Sequence, residues 1–392
     1  MAASKFTSWP HFTAEEADAV RAVLLSNKVN YWTGGICRQF EKEYAAWVQT
    51  EYAVALANGT VALEVSLKAL GIKKGDEVVV SPRTFIATVS SIVNSGATPV
   101  FADLNPDSGN ITAESIEKCI SRQTKAIICV HLAGWPCDMD PIMELAKNHG
   151  LYVVEDCAQA HGARYKNRPV GSIGDICCWS FCQDKIITTG GEGGMITTNN
   201  HELWSSIWSY KDHGKSWDAI YNRKRLPGYQ WVHETFGSNM RMTEMQAAIG
   251  RMQLGKMTEW HNARNKNASA ILTACAKYPD LLHAPRPPES IEHAWYKCHV
   301  YLNLDKLPSK WSRDSIIKEI NAKGVPCYYG SCSEVYLEKA FELTGLRPSE
   351  RLPVAKQLGE TSLMFLVHPT LTSSEVNQTC DAVSSVMEMI KN

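Results

Sequence analysis

Three short stretches carry residue types that can do chemistry together: Asn58-Gly59-Thr60, Asp156 in "VVEDCAQAHG", and Ser180 with Lys185 in "SFCQDKIITTGGEGG". A charged ammonium gains little from burial, but a desolvated amine is more readily neutral and can condense with a carbonyl. Asp156 closes a very apolar run, where a carboxylate is costly unless it meets a cation or hydrogen-bond donors. Asn58-Gly59-Thr60 stands where an apolar run gives way to a helical pattern. A helix N-terminus there offers unpaired amides and a favourable dipole, and glycine lets an anion approach the backbone. Each piece alone has an ordinary reading too: a helix cap for the tripeptide and for Asp156, a solvated surface lysine for Lys185. "GGEGG" lacks the Gly-Lys-Ser/Thr ending of a P-loop.

Elements that would position these residues follow from the hydrophobic pattern. Residues 13 to 27 read as a helix opened by Thr13, and "CRQFEKEYAAWVQ" as a second. "YAVAL" is a strand that turns at Asn58-Gly59-Thr60 into an amphipathic helix. The runs "DEVVVSP", "ATPVFADL", "KAIICVHLAG", "LYVVEDCAQ", "ICCWSFC" and "GGMITTN" are short and continuously apolar, as strands covered on both faces must be. These place a largely parallel sheet between residues 50 and 200, with ligands expected beyond the carboxyl ends of its strands. Residues 201 to 250 read as an ordered, aromatic-rich loop region, followed by one long helix from about Thr243 to Asn267. "AWYKCHVYLNL", a helix near 312 to 323 and a strand at "GVPCYY" indicate a smaller α+β domain. The expected division is 1–260 for a large domain with an N-terminal helical segment and 261–392 for the smaller one.

Bulk properties narrow the partners. The chain has 392 residues, 40 basic and 41 acidic, for a formal net charge of -1. That balance argues against nucleic acid or an anionic membrane as the main partner. No apolar segment is long enough to suggest a spanning helix, and the N-terminus does not resemble a secretory signal, so a cytoplasmic location is expected. Thirteen cysteines, odd in number and mostly inside apolar runs, read as reduced core thiols.

A phosphate cradle, an acid, a hydroxyl and an imine-forming lysine are together what pyridoxal phosphate requires. At this point the sequence resembles the DegT/DnrJ/StrS family of pyridoxal-phosphate aminotransferases that act on nucleotide-linked keto-sugars. The resemblance spans roughly residues 8 to 370 and is carried by "ALANGTVAL", "PRTFIATVSSIVNSGATPVFADL", "VVEDCAQAHGARY", "WSFCQDKIITTGGEGGMITT" and "FGSNMRMTEMQAAIGRMQL". It implies the type I, aspartate aminotransferase-like fold of pyridoxal-phosphate transferases.

The roles implied by resemblance are as follows. Lys185 matches the lysine that condenses with the cofactor aldehyde, and Asp156 the acid at the pyridine nitrogen. Gln159 matches the residue bonded to the ring hydroxyl, and Phe85 the aromatic against the ring face. Gly59, Thr60 and Ser180 match phosphate contacts. Asn239, in "GSNMRM", matches an asparagine that reaches the phosphate from the neighbouring subunit, which implies a homodimer with shared active sites. The implied reaction is ping-pong transamination, with L-glutamate as donor and a nucleotide-linked keto-sugar as acceptor. A UDP-linked 4-keto-6-deoxy-N-acetylhexosamine, for O-antigen or capsule polysaccharide, is the expected acceptor, with a 3-keto sugar competing. Dehydratases of the family carry histidine where this chain has Lys185. A nucleotide-sugar sensor without catalysis is the non-enzyme alternative, disfavoured by intact Lys185 and Asp156.

Other residues invite roles. His131 and His161 fall near strand ends, with contact to sugar or cofactor weighed against core packing. "YNRKRL", 221 to 226, offers charge for a diphosphate or a solvated loop. "YWTGG" at 31 to 35 and "CYYGSCSEVY" at 327 to 336 suit a sugar-nucleotide cleft, although the family's usual histidine-tyrosine pair is here Tyr328-Tyr329. Cys177, Cys178 and Cys182 lie close in sequence, but strand alternation would point neighbours apart, so no metal is expected.

Overall fold

The computed structural model describes residues 6–223 and 228–391. Its centre is a seven-stranded sheet in the spatial order Tyr52–Leu56, Gly194–Thr198, Ile176–Ser180, Tyr152–Asp156, Thr124–Val130, Glu77–Val80, Thr98–Phe101. Neighbours from Ile176–Ser180 outward to Thr98–Phe101 pair in parallel. Gly194–Thr198 runs antiparallel to both its neighbours, Ile176–Ser180 and Tyr52–Leu56. The expectation of a largely parallel sheet therefore stands, with one reversed strand that an apolar run alone could not announce.

Side-chain alternation divides the core into two faces. Cys177 and Trp179 enter one cluster with Phe40 and Tyr44, while Ile176 and Cys178 enter another with Leu63 and Val65. Helices Ile36–Val48 and Gly59–Ala69 supply those partners from opposite faces. Trp179 meets the Tyr44 ring edge-on at 5.3 Å. Each large apolar side chain so buried contributes about 1.5–3 kcal/mol relative to exposure. All thirteen cysteines are free thiols, most of them buried. Cys177 contacts the Glu155 carboxylate and Cys178 the Ser66 hydroxyl, so the two thiols do face apart.

The opening helix is Ala14–Leu25, with the Glu16 carboxylate accepting the Thr13 backbone N–H at 2.7 Å. Two sequence expectations need correction. Residues 201–250 are not simply loop: they include helices His201–Tyr210 and Trp217–Tyr221. The long helix begins at Glu244 but breaks after Gly255, and a second helix, Met257–Cys275, continues well past Asn267. Helical periodicity carries through a break of one residue, so the pattern could not reveal it.

Beyond it, strands Leu282–His283, Cys298–Leu302, Ser362–Phe365 and Cys327–Tyr328 form an antiparallel four-stranded sheet in that order. Helices Arg313–Ala322 and Ser373–Lys391 pack with Met257–Cys275 around it. Among the described residues, no helix is long and apolar enough to cross a membrane.

Candidate active site

Because the main strands share a direction, their last residues emerge on one edge. Asp156 and Ser180 end two neighbouring strands, and the chain leaves Leu56 into Asn58 at the same edge. The reversed strand starts there too, with Gly194 paired to both Ser180 and Leu56. A side chain at Gly194 would put its Cβ 2.3 Å from the Asn58 carbonyl oxygen, which explains glycine at the close of "GGEGG".

A cavity of about 800 Å³ opens on this edge. Asn58, Gly59, Thr60, Phe85, Asp156, Gln159, Ser180 and Lys185 all line it, although they are spread over more than a hundred positions of sequence. Asn239 does not. It is exposed, in a segment whose Met240 carbonyl accepts the Ala57 N–H at 2.9 Å.

The tripeptide is a helix cap and more. The Asn58 side chain accepts the Val61 N–H at 2.9 Å and starts the helix Gly59–Ala69. The N–H groups of Gly59 and Thr60, at its first turn, have no helical carbonyl behind them and are available to an anion. A Cβ on Gly59 would stand 2.7 Å from the Ser180 Cβ, so only glycine leaves this floor open.

Asp156 is 5 % exposed. Its carboxylate accepts from the Thr88 hydroxyl at 2.8 Å and the Ala158 N–H at 3.1 Å, and Thr88 is itself bonded to Thr84 at 2.7 Å. Burial pushes this carboxyl up from the usual range, against the pull of those donors and of the Lys185 charge. It forms no ion pair among the described residues. A cationic N–H delivered by a ligand would relieve that cost.

Lys185 sits in the loop after Ile176–Ser180, its N–H bonded to the Cys182 carbonyl at 3.1 Å and its carbonyl held by the Trp9 indole at 2.9 Å. The side chain is 16 % exposed, with Nζ 3.8 Å from Asp184 and 3.5 Å from the Tyr296 hydroxyl. Gln159 accepts the Ala133 N–H at 2.7 Å through Oε1, which fixes its amide at the cavity wall. Phe85 ends the approach to the helix Ile86–Asn94 and is 68 % exposed, its ring bordering the open mouth.

Pyridoxal phosphate fits these residues. The clear floor at Gly59 beside free amides suits the phosphate, the uncompensated buried Asp156 suits a protonated ring nitrogen, and Lys185 supplies the amine.

The remaining sequence candidates separate. His131 is fully buried: its Nδ1 accepts the Cys137 N–H at 3.0 Å, so Nε2 carries the proton toward Glu155 at 2.9 Å. His161 does not line the cavity; it packs between Trp179 and Phe181, and burial holds it down to about 3, so it is neutral. Within 221–226, Lys224, Arg225 and Leu226 lie outside the described residues. Gly330, Ser331 and Cys332 line the cavity, whereas Tyr31 is fully buried with its hydroxyl on Glu41.

The structure adds residues that the sequence did not single out. Thr88, Asp184, Tyr296, Lys297 and His299 line the cavity. Asp184 stands beside the lysine in "QDK", which was the available signal. Nothing in sequence joins Tyr296 to Lys185. Glu155, next to Asp156, points to the opposite face and accepts from the N–H groups of Gly171, Ile173 and Gly174.

Fold and cavity together define a pyridoxal-phosphate-dependent aminotransferase. The chain belongs to the DegT/DnrJ/EryC1/StrS aminotransferase family, whose model matches residues 10–384. It is 35% identical over 388 residues to the spore coat polysaccharide biosynthesis protein SpsC of Bacillus subtilis, covering 97% of this chain and 96% of that one. It is 33% identical over 380 residues to GDP-perosamine synthase of Escherichia coli O157:H7, covering 96% of each. Among solved structures, the aminotransferase from Psychrobacter cryohalolentis is 62% identical, with a TM-score of 0.98 over 99% of this chain and 100% of that one.

Proposed function

We propose that this aminotransferase moves an amino group from L-glutamate to a keto-sugar carried on a nucleoside diphosphate, in the cytoplasm, for surface polysaccharide. The favoured acceptor is a UDP-linked 4-keto-6-deoxy-N-acetylhexosamine. One observation carries the reading: the Gly59-Thr60 helix start, Asp156 and Lys185 line a single cavity, which continues past them to Lys297, His299 and Ser331. The relatives' sugar and polysaccharide names favour a sugar nucleotide in that further space.

When bound, the cofactor supplies the electron sink that lets an amino group leave one carbon and join another. Gly59, Thr60 and Ser180 would hold its phosphate through backbone amides and a hydroxyl. Asp156 would face the ring nitrogen, with the Thr88 hydroxyl and the Ala158 N–H fixing the carboxylate. Gln159 would meet the ring hydroxyl, and Phe85 would cover one face. Lys185 would tether the group, and its amine, when free, would accept and return a proton at the cavity wall.

Asn239 belongs to a neighbouring subunit's site in this reading. It is exposed and off its own cavity, and the segment leading to it bears Trp231 at 83% and Phe236 at 99% exposure. Large apolar side chains so exposed are suited to covering by a second copy.

The test incubates the holoenzyme with L-glutamate and, separately, the UDP-linked 4-keto, UDP-linked 3-keto and GDP-linked 4-keto sugars. Products are identified by mass and NMR. A 4-amino UDP-sugar is the expected product; a 3-amino product alone would move the assignment to the other carbon. No amino sugar from any acceptor would overturn the proposal.

A further inference from the structure

Resting on the role proposed above for Lys185, we infer that Tyr296 is a positioning residue for that lysine: its hydroxyl accepts an N–H of Lys185 while donating its own proton to Asp184, so the amino group is anchored at the cavity wall. Three contacts carry this. Lys185 Nζ lies 3.5 Å from the Tyr296 oxygen and 5.0 Å from its ring centroid. The Tyr296 hydroxyl donates in a short hydrogen bond to Asp184 Oδ2. Asp184 precedes the lysine, so the three side chains close a small loop at the cavity wall.

The direction of each bond follows from chemistry. Burial, reinforced by the Asp184 carboxylate, drives the Tyr296 hydroxyl above the phenol range, so it remains protonated. Its single proton goes to Asp184, and only its lone pairs face the amine. Whenever the amine is neutral, giving one N–H to this acceptor leaves its lone pair free to take a proton. The 3.5 Å contact is long for a hydrogen bond, so it guides the amine without clamping it. Direct attraction between Lys185 and Asp184 is the weaker restraint: Asp184 is 55% exposed, and water screens the pair.

Tyr296 is also rigidly placed. Its N–H donates to the Ala133 carbonyl at 2.8 Å, and Ala294 donates to Gly134 at 2.8 Å. Ala133 is the residue whose own N–H fixes Gln159, and it adopts a left-handed backbone with φ of 54°. One turn thus sets both Gln159 and Tyr296. The charged groups around the amine are Asp184 and Asp156 from the sheet edge, Lys297 from the Tyr296 segment and, behind them, Arg264 from the helix Met257–Cys275. Lys297 Nζ lies 4.7 Å from the Tyr296 ring centroid, so both amines contact this ring.

The test uses holoenzyme of Tyr296→Phe, which keeps the ring, and Asp184→Asn, which weakens the acceptor for the hydroxyl. Stopped-flow measures the half-reaction with the amino donor that bleaches the parent's cofactor absorption; a spectrophotometric pH titration of the bound cofactor is the second readout. No sugar takes part, so the result is independent of the acceptor proposed above. Expected in both variants is a half-reaction roughly 10- to 100-fold slower at saturating donor, with the donor's apparent affinity within about threefold and a displaced titration midpoint. Rates per bound cofactor and midpoints within about twofold of the parent would overturn the inference. A fall in cofactor content or melting temperature alone, with those two readouts unmoved, would overturn it equally, since it would leave Tyr296 only a packing role.

Discussion

Gly59 and Ser180 approach so closely that a Cβ built on the glycine would stand 2.7 Å from the serine Cβ and 3.2 Å from its Cα. The helix start and the strand end are therefore in direct contact at the floor of the cavity. Gly59→Ala must push one of them away. The expected result is a loss of about 1–3 kcal/mol in stability and weaker retention of pyridoxal phosphate on dialysis. Thermal unfolding and the cofactor absorbance of the dialysed protein check both.

Lys185→Ala removes the amine proposed above as both tether and proton carrier. Turnover should fall by at least about 10³-fold, and the imine absorption of bound cofactor should vanish. Steady-state assays with a visible spectrum decide it; a variant with parental turnover would take Lys185 out of the mechanism.

Asp156→Asn separates function from stability. The carboxyl's folded-state pKa is raised by burial, so its contribution to stability is fully present below the unfolded value and is lost as pH rises through the folded one. At neutral pH, well above the unfolded value, that raised pKa burdens the cofactor-free fold. The asparagine variant should melt higher without cofactor, yet turn over roughly 10²-fold or more slowly, because a neutral side chain no longer holds the ring nitrogen protonated. Calorimetry of the cofactor-free protein and steady-state rates test the two halves.

Glu155 gives the opposite sign. Burial alone would raise its carboxyl, but the His131 hydrogen bond and the N–H groups of Gly171 and Gly174 outweigh that and hold it at about 2. A depressed acid contributes stability above its unfolded value, near 4.5, that is lost as pH falls toward 2. Urea titrations between pH 5 and 2.5 should show a steeper loss for the parent than for Glu155→Gln. At pH 7 that variant should be less stable by about 3 kcal/mol, since it leaves buried donors without their charged acceptor.

The proposed sharing of active sites between two subunits makes a mixing prediction. Lys185→Ala and Asn239→Ala proteins, each weakly active or inactive, should recover activity when refolded together. A mixed dimer then holds one site with both native residues, up to about a quarter of parental activity under random pairing. No recovery, with dimers demonstrated by light scattering, would place Asn239 outside a neighbour's site.

Particular residues show how far sequence reached. "YAVALANGTVAL" carries its own strand, cap and helix start because period, cap chemistry and glycine are local properties. Asp156 could be suspected because a carboxylate at the end of "YVVE" has a high desolvation cost anywhere. By contrast, the reversal of Gly194–Thr198 was invisible, since a doubly covered strand is apolar in either direction. The helix break at Lys256 was missed because the apolar period resumes after it. Asp184, though adjacent to Lys185, has meaning only through Tyr296, which is 112 positions away.

By itself, then, the sequence determined the residue types, their local conformations and the motif order that marks an aminotransferase of this family. Tertiary structure alone decided which groups meet: that Asp156 faces the cavity while Glu155 is sealed behind it, that Gly194 sits between Leu56 and Ser180, and that Tyr296 reaches Lys185. Local preferences act over a few residues and leave a trace in spacing. Contacts between distant segments depend on strand direction, register and which face each side chain takes, and a linear pattern of apolar and polar residues encodes none of these uniquely.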